Sequence, residues 1–529
     1  MLRGVPRWFG GPGWNRWRFL VADILRWLSV HRVRWWNEAR RGVRRLAARL
    51  RALPADERRR ATAAAAVLLA VAGLVGGGST AQHAQSLSDP AHARGGSAAP
   101  TATPPSPPPP PVLAGDQAVG VEPAAGGVAA ALAGPLGESA LGGRVLARVV
   151  DLTTGNVLFD HEGDRMAIPA STTKITTTVA LLGVTSPDQR ITTTVVAGDR
   201  PGQVVLVGAG DPTLSAAPPD RPTAYQGAAR LSDLARQVAA QAAQTSGVGT
   251  SGTSGSPVTQ VVVDSSLFTG PTVHPTWDPT DVDGGYVAPI EALMADGGRR
   301  RPDRSERSHE PALDAGRAFA SFLGLPPSAV VAGSAPKGAQ VLAQVRSAPI
   351  VRIVEQMLTV SDNVLAECLA RQVAIARGVS ASFDGAADAV RQELVELGAD
   401  ISGEQLVDGS GLSPQDRLSP ALLVNVLRVA ASSEHPTLHA LFPGLPVAGY
   451  EGTLEDRYRT GPAAAFAGMV RAKTGTLTGV STLSGVVEDT DGRTLAFAFM
   501  ADQVPPGGTL GAEAALDNLA GSLARCGCH

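Results

Sequence analysis

PASTTKITTTVALL, residues 169–182, is the stretch that decides the fold of this chain. Its apolar second half predicts a helix, and if Ser171 opens that helix, Lys174 lies three residues on and returns to the same face. The lysine amine can then reach the serine hydroxyl, which places a base beside a nucleophile. The stretch therefore predicts a helix that carries a reactive pair at its start.

Lysine is scarce in this sequence, which makes Lys174 informative. Lysine and arginine together number 46, yet lysine occurs only at Lys174, Lys337 and Lys473. A guanidinium cannot lose its proton in a protein, whereas burial or a neighbouring cation lowers the pKa of an ammonium. Lys337 follows Ser334 at the same spacing, but Pro336 precedes it and no apolar helical run follows, so we interpret Lys337 as a loop charge.

A second polar group lies between two apolar helical patterns. Residues 350–358 and 364–370 carry the periodicity of helices, and they bracket Ser361, Asp362 and Asn363. A loop between two packed helices holds its side chains in a defined orientation, as a functional site requires. Serine, aspartate and asparagine also favour helix caps, so a capping role is the alternative interpretation.

Near the C-terminus, residues 469–477 resemble a strand that carries Lys473, Thr474, Gly475 and Thr476. The two threonine hydroxyls share one face of a regular strand, and a glycine lets a ligand backbone approach closely. A substrate carboxylate would fit at such a strand.

The first 112 residues differ in composition from the rest of the chain. Residues 1–60 interleave arginine with tryptophan, which favours a membrane surface, with a nucleic-acid arm as the alternative. Residues 61–77 are an apolar run near the lower length limit of a membrane span, and residues 78–112 form a proline-rich linker. We expect a cell-membrane protein with its body on the extracytoplasmic face, secreted if the apolar run is a cleaved signal, and no nucleic-acid partner.

The three motifs, STTK at 171–174, SDN at 361–363 and KTG at 473–475, resemble those of the penicillin-recognising serine enzymes in order and in context. The resemblance covers roughly residues 125–525. Three further stretches are similar to the penicillin-binding protein 4 type of D-alanyl-D-alanine carboxypeptidase and endopeptidase: residues 208–214, 286–290 and 408–418.

The resemblance implies an α/β (α+β) fold. Its β-lactamase/transpeptidase-like core would have an antiparallel sheet and a helical cluster, plus an inserted mainly β accessory domain. Residues 113–190 and 345–525 would form the catalytic domain, and residues 191–344 the inserted domain. The family also predicts an asparagine near residues 295–298, which read Ala-Asp-Gly-Gly, so this sequence departs from the family there.

The resemblance implies catalytic roles for four residues. Ser171 would attack the carbonyl of the penultimate D-alanine while Lys174 accepts its proton, giving an acyl-enzyme that water resolves. Ser361 and Lys473 would pass the proton to the leaving amine. The substrates would be peptidoglycan stem peptides that end in D-Ala-D-Ala, and β-lactams would inhibit the enzyme.

Four residues are implied in substrate binding. Asn363 would hold the peptide amide, Thr474 and Thr476 the terminal carboxylate, and Gly475 would lie beside the ligand backbone. The backbone N–H groups of Ser171 and Thr476 would form the oxyanion hole. The resemblance implies no metal and no cofactor.

Other functions are less consistent with the sequence. A zinc peptidase needs clustered ligands, and His435 and His439 have no glutamate between them. A Ser-His-Asp hydrolase needs a G-x-S-x-G elbow, which Ser171 lacks. A β-lactamase, or a non-catalytic cell-wall-binding protein on the same fold, remains the alternative. Carboxypeptidase and endopeptidase activity cannot be separated, because both cut next to a D-alanine.

Overall fold

The computed structural model describes residues 120–246 and 257–528. The basic segment 1–60, the apolar segment 61–77 and the linker 78–112 therefore lie outside the described residues. Within the described part, no helix is both long enough and apolar enough to cross a bilayer.

The described residues contain ten strands and ten α-helices. The strands are β1 (Val145–Asp151), β2 (Val157–His161), β3 (Thr192–Ala197), β4 (Gln203–Val207), β5 (Gln260–Asp264), β6 (Val330–Ala332), β7 (Val341–Arg346), β8 (Val470–Leu477), β9 (Val480–Glu488) and β10 (Thr494–Ala501). The helices are α1 (Ala125–Leu136), α2 (Thr173–Val184), α3 (Leu231–Ser246), α4 (Pro311–Phe322), α5 (Ile350–Val360), α6 (Asn363–Ala376), α7 (Phe383–Glu396), α8 (Pro420–Ala431), α9 (Leu441–Gly444) and α10 (Thr509–Ala524).

Strands from the two ends of the described chain form one antiparallel sheet. Its strand order is β2-β1-β10-β9-β8, so β1 and β10 meet in the middle and β8 lies at an edge. β1 pairs with β10 from Val145 opposite Ala501 to Asp151 opposite Leu495. The sheet therefore joins residues that lie more than 300 positions apart in the sequence.

Helices cover both faces of this sheet. Alternate residues of β10 point to opposite faces, as the two-residue period of a strand requires. Phe497 and Phe499 pack in the apolar cluster that includes α1 and α10, whereas Ala498 and Met500 pack in the cluster that includes α2, α6 and α8. The predicted antiparallel sheet with helices on both sides is confirmed.

The chain between the first and second motifs, which was predicted to be mainly β, forms a second sheet together with two helices, so this region is mixed α/β. Its order is β6-β5-β4-β3-β7; β3 is antiparallel to both of its neighbours, and β5 is parallel to both of its own. Parallel neighbours need a crossover connection, and α3 and α4 lie in the two crossovers. Leu234 and Val238 of α3 pack with Phe319 of α4 in one apolar core on this sheet.

Helix α2 is buried although it carries several threonines. Thr176 and Thr178 donate hydrogen bonds of 2.6 and 2.7 Å to backbone carbonyls of the preceding turn, and Thr177 donates to Gly409 O at 2.7 Å. Each of these buried hydroxyls therefore has a partner, as burial of a polar group requires. The helix that follows Ser171 can therefore lie in the interior, in contact with helices α6, α7 and α8, although several of its residues are polar.

Candidate active site

The first motif begins in a tight turn. Ala170–Thr172 form one 3₁₀ turn, and α2 starts directly after it. Ala170 has a φ of 47°, a left-handed conformation that residues other than glycine rarely adopt. The turn places Lys174 Nζ 2.9 Å from Ser171 Oγ. The structure thus brings together the serine and the lysine that the sequence pairs.

Lys174 has a hydrogen-bonding environment that suits a neutral amine. Its Nζ lies 2.7 Å from Asn363 Oδ1 and 2.7 Å from the backbone oxygen of Ser410, in addition to Ser171 Oγ. Two of these three oxygens can only accept, while the serine hydroxyl can donate, which matches the two N–H groups and one lone pair of an amine. Burial lowers the pKa of Lys174 to about 8, although nearby carboxylates, with Asp408 first, act to raise it.

The second motif joins two helices. Ser361 ends α5 in the left-handed conformation, with φ 57° and ψ 42°. Asp362 caps α6, and its side chain accepts from Val364 N at 2.9 Å. Asn363 Nδ2 donates to Tyr286 O at 3.1 Å, while its amide oxygen accepts from the lysine of the first motif. Residues 361–363 therefore form the predicted loop, and Asp362 also caps a helix, so both of the alternative interpretations apply.

The third motif connects to the second through its lysine. Lys473 Nζ donates to Ser361 Oγ at 2.9 Å and to Thr474 O at 2.8 Å. The side chain is fully buried, and burial lowers the pKa of Lys473 well below its usual range. The positive charges of Lys174 and Arg457 lower it further. A lysine held in this way binds its proton weakly.

Gly475 lies where β8 passes the start of α2. A Cβ built at this glycine would stand 2.6 Å from Pro169 O and 3.0 Å from Ser171 N. Thr482, opposite Gly475 on β9, donates to Pro169 O at 2.8 Å. The close approach seen at Gly475 is thus to the protein's own chain, and contact with a ligand backbone stays a prediction. This contact also joins the third motif to the first.

The threonines of the third motif have partners that the sequence does not indicate. Thr474 Oγ1 donates to Thr453 Oγ1 at 2.8 Å, and Thr476 Oγ1 donates to Glu513 Oε1 at 3.2 Å. Thr453 comes from the loop before β8, and Glu513 comes from α10. No local pattern around Thr453 distinguishes it from the other threonines of the chain, so it could be found only from the fold.

The outer edge of β8 is paired along its first half. Ala448 N donates to Val470 O at 2.9 Å, and Ala472 N donates to Pro446 O at 3.0 Å. Beyond residue 472 the strand continues past that pairing as far as Leu477. An edge strand offers its backbone N–H and C=O groups to an extended peptide. The second half of β8 can therefore receive a substrate backbone.

A loop without a predicted role contacts Lys174. The carboxylate of Asp408 accepts from the backbone N–H groups of Ser410, Gly411 and Ser413 at 3.1, 2.6 and 2.7 Å, and from Trp277 Nε1 at 2.8 Å. These bonds fix the loop whose carbonyl at Ser410 accepts from the lysine. The Asp-Gly-Ser-Gly sequence of this loop indicates a turn. That pattern is the only local sign in the sequence that the loop has a fixed structure.

Lys337 is exposed on the segment that follows β6, as predicted for a loop charge. Ser334, three residues before it, is exposed as well. The second Ser-x-x-Lys spacing is therefore no part of the site described above.

Comparisons with known proteins agree with this fold. The sequence profile of the D-Ala-D-Ala carboxypeptidase 3 (S13) family matches residues 128–306 and 301–523. A carboxypeptidase of Mycobacterium tuberculosis is 46% identical over 415 residues, which cover 77% of this chain and 85% of that protein. The crystal structure of penicillin-binding protein 4 from Haemophilus influenzae has a TM-score of 0.59 at 22% identity, covering 75% of this chain and 98% of that one. Its complex with a β-lactam has a TM-score of 0.53 at 21% identity, with the same coverage.

The structural similarity confirms the predicted α/β (α+β) class with its β-lactamase/transpeptidase-like core. The family match spans most of the described residues and includes all three motifs. The chain belongs to the D-Ala-D-Ala carboxypeptidase 3 (S13) family of serine peptidases.

Proposed function

We propose that this site is that of a serine-type D-Ala-D-Ala carboxypeptidase, with or without endopeptidase activity, acting on peptidoglycan peptides through an acyl-enzyme on Ser171. The observation that carries the proposal is the contact set of Lys174, which joins the nucleophile to Asn363 and to the Ser410 carbonyl. The family supports the class of substrate.

The proposed reaction begins when Ser171 Oγ attacks the carbonyl carbon of the penultimate D-alanine and Lys174 takes the hydroxyl proton. The backbone N–H groups of Ser171 and Thr476 would stabilise the oxyanion, and one such donor typically contributes about 3 kcal/mol. The peptide bond then breaks, and the leaving amine takes up the proton that Lys174 received from Ser171, passed on through Ser361 and Lys473, so that Lys174 is neutral again. Water hydrolyses the ester, which regenerates the serine and releases the shortened peptide.

The second half of β8 would hold the substrate in an extended conformation. Thr474 and Thr476 would bind the terminal carboxylate through their hydroxyls. Asn363 uses one amide N–H on Tyr286 O, and its second N–H would bind the peptide carbonyl. A β-lactam presents a similar amide and carboxylate, but its amine stays attached after acylation, so we propose β-lactams as inhibitors.

Covalent labelling with a fluorescent penicillin tests this proposal directly. We expect one stable adduct on the full chain, located at Ser171 by mass spectrometry, and none on Ser171→Ala. A folded wild-type chain without an adduct, or an adduct on another residue, would contradict the assignment. Defined muropeptides, with and without a cross-link beyond the D-alanine, would then separate carboxypeptidase from endopeptidase activity.

Thr453 gives a prediction about substrate binding. Thr453→Val removes the acceptor for the Thr474 hydroxyl, so we expect KM for a D-Ala-D-Ala peptide to rise roughly fivefold, in line with the loss of about 1 kcal/mol for one hydrogen bond. The effect on kcat should be smaller, since no reacting atom is moved. Thr460→Val, at an exposed position in the same segment, is the matched control and should leave KM unchanged.

We further propose that the chain is anchored in the cell membrane through residues 61–77, with its body on the extracytoplasmic face. The supporting observations are the arginines and tryptophans of residues 1–60 and the proline-rich linker 78–112, which would hold the body away from the bilayer. Cell fractionation of the full chain, with protease added from outside, tests this. Release of the body from untreated cells would instead indicate a cleaved signal.

We also propose that residues 113–190 and 345–525 form the catalytic domain and that residues 191–344 form an inserted domain. The strands of the antiparallel sheet all come from the first two ranges, and β3–β6 with most of β7 come from the third. Limited proteolysis followed by mass mapping of the cut sites tests these boundaries.

A further inference from the structure

We infer that Arg299, Arg307 and Tyr225 are positioning residues of the active site, because they hold Asp362 and thereby fix the second motif. All three come from the chain between the first and second motifs, outside the antiparallel sheet. The inference rests on the proposed function of the second motif.

The three side chains converge on one oxygen atom. Asp362 Oδ2 accepts from Arg299 Nη2 at 2.8 Å and from Tyr225 OH at 2.9 Å, and it lies 3.5 Å from Arg307 Nη2. Arg299 also donates to the Tyr225 hydroxyl at 2.5 Å, and its guanidinium lies 5.1 Å from the centre of the tyrosine ring. The carboxylate is 1% exposed, so its charge is balanced by these groups and not by solvent.

The two oxygens of Asp362 perform different tasks. Oδ1 accepts from Val364 N and Leu365 N at 2.9 and 3.3 Å, which caps α6. Oδ2 is left for the arginines and the tyrosine. Burial alone raises the pKa of Asp362, but Arg307 and Arg299 hold it well below the usual range, so the group is ionised. One carboxylate therefore ties the start of α6 to the neighbouring segment.

The residues on either side of Asp362 need to be held. Ser361 has a φ of 57°, and a residue other than glycine keeps this conformation only where its surroundings stabilise it. Its hydroxyl lies 2.9 Å from Lys473 Nζ, and Asn363 Oδ1 lies 2.7 Å from Lys174 Nζ. A shift of the loop by about 1 Å would disturb both contacts, and misplacement of that size can cost about 100-fold in rate.

The segment that carries Arg299 is itself fixed by hydrogen bonds around residues 296 and 297. Asp296, with a φ of 52°, accepts from Ser215 Oγ at 3.0 Å and from Ala216 N at 3.1 Å. Arg307 also donates to the nearby Gly297 O at 2.5 Å. The arginines therefore extend from a folded turn, which gives them a defined position relative to the second motif.

The first test compares acylation rates of the full chain with a fluorescent penicillin. We expect Arg299→Ala to slow acylation about 10- to 100-fold, and Arg299→Lys to restore part of the rate because it keeps the charge but not both contacts. Tyr225→Phe, which keeps the ring, should give a smaller loss. Arg301→Ala removes an exposed arginine of the same segment and should leave the rate unchanged.

A double-mutant cycle tests whether Arg299 acts through Asp362. If it does, Arg299→Ala combined with Asp362→Asn will be no slower than the slower single variant. With a D-Ala-D-Ala peptide, Arg299→Ala should lower kcat more than it raises KM. Multiplied losses in the double variant would overturn the inference, and so would an unchanged rate in folded Arg299→Ala.

Hydrogen exchange measures the local stability of the same loop independently of the acylation reaction. The amides of residues 361–365 should exchange about tenfold faster in Arg299→Ala than in the wild type, and no faster in Arg301→Ala. If Arg299→Ala does not fold, Tyr225→Phe decides, and unchanged exchange in that variant overturns the inference. A wild type that penicillin does not label would overturn the proposed function, whereas the exchange result would still decide the role of Arg299.

Discussion

Lys174→Met is expected to slow acylation of Ser171 by about 10²- to 10⁴-fold, the range typical of general base catalysis. Methionine has a similar length and an apolar side chain, so it suits a position that is fully buried. It cannot accept the serine proton, and it cannot hold Asn363 Oδ1 or the Ser410 carbonyl. The measurement is the rate of adduct formation with a fluorescent penicillin, together with thermal unfolding to show that the variant is folded.

The chain offers a matched control for this substitution. Lys337 follows Ser334 at the same spacing but is exposed on a loop, so Lys337→Met should leave both the rate and the stability unchanged. A folded Lys174→Met variant that acylates at the wild-type rate would exclude Lys174 as the base. Equal losses in both variants would exclude a specific role for the buried lysine.

The pH dependence of acylation tests the same assignment from another direction. Only the neutral amine can take the serine proton, and the pKa of Lys174 is lowered to about 8. The acylation rate should therefore rise with pH and level off above about pH 8. Two units below that pKa the neutral fraction is roughly one hundredth, and the rate should fall accordingly. A rate that falls as pH rises from 6 to 8 would contradict this order of protonation.

Much of the core fold follows from local sequence patterns. Residues 145–150, 480–487 and 494–500 are rich in apolar and β-branched residues, which favour strands, and the structure contains them as β1, β9 and β10. The apolar runs around the second motif likewise predict α5 and α6. The first motif leads into α2, the second lies between α5 and α6, and the third lies within β8, so both the elements and the site residues are visible in the sequence.

The supporting contacts of the site leave no such pattern. Arg299 and Asp362 are 63 positions apart, and Trp277 and Asp408 are 131 positions apart, so neither pair produces a periodicity. Thr453 is likewise joined to the third motif only through the fold. The sequence therefore predicts the residues that would do the chemistry, because their types and spacing are constrained, while the residues that hold them depend on how distant segments pack.

Gly475→Ala is expected to reduce acylation by about 100-fold, because the added methyl group would push β8 away from the nucleophile. Its Cβ would lie 2.1 Å from Thr482 Oγ1, which donates to Pro169 O, and also 2.6 Å from Pro169 O and 3.0 Å from Ser171 N. The two backbone atoms cannot move aside as a flexible side chain can. The displaced strand also carries Thr476, whose N–H is proposed for the oxyanion hole. Overpacking of this kind typically costs about 1–3 kcal/mol of unfolding free energy, which denaturant titration would measure beside the rate.

Gly134→Ala separates this effect from the general consequences of replacing glycine. Gly134 lies on the exposed side of α1, and a Cβ there would meet nothing within 4 Å. We expect this control to acylate at the wild-type rate, without a loss of unfolding free energy as large as that of Gly475→Ala. If Gly475→Ala also acylates normally, the distance between β8 and Ser171 does not control the reaction.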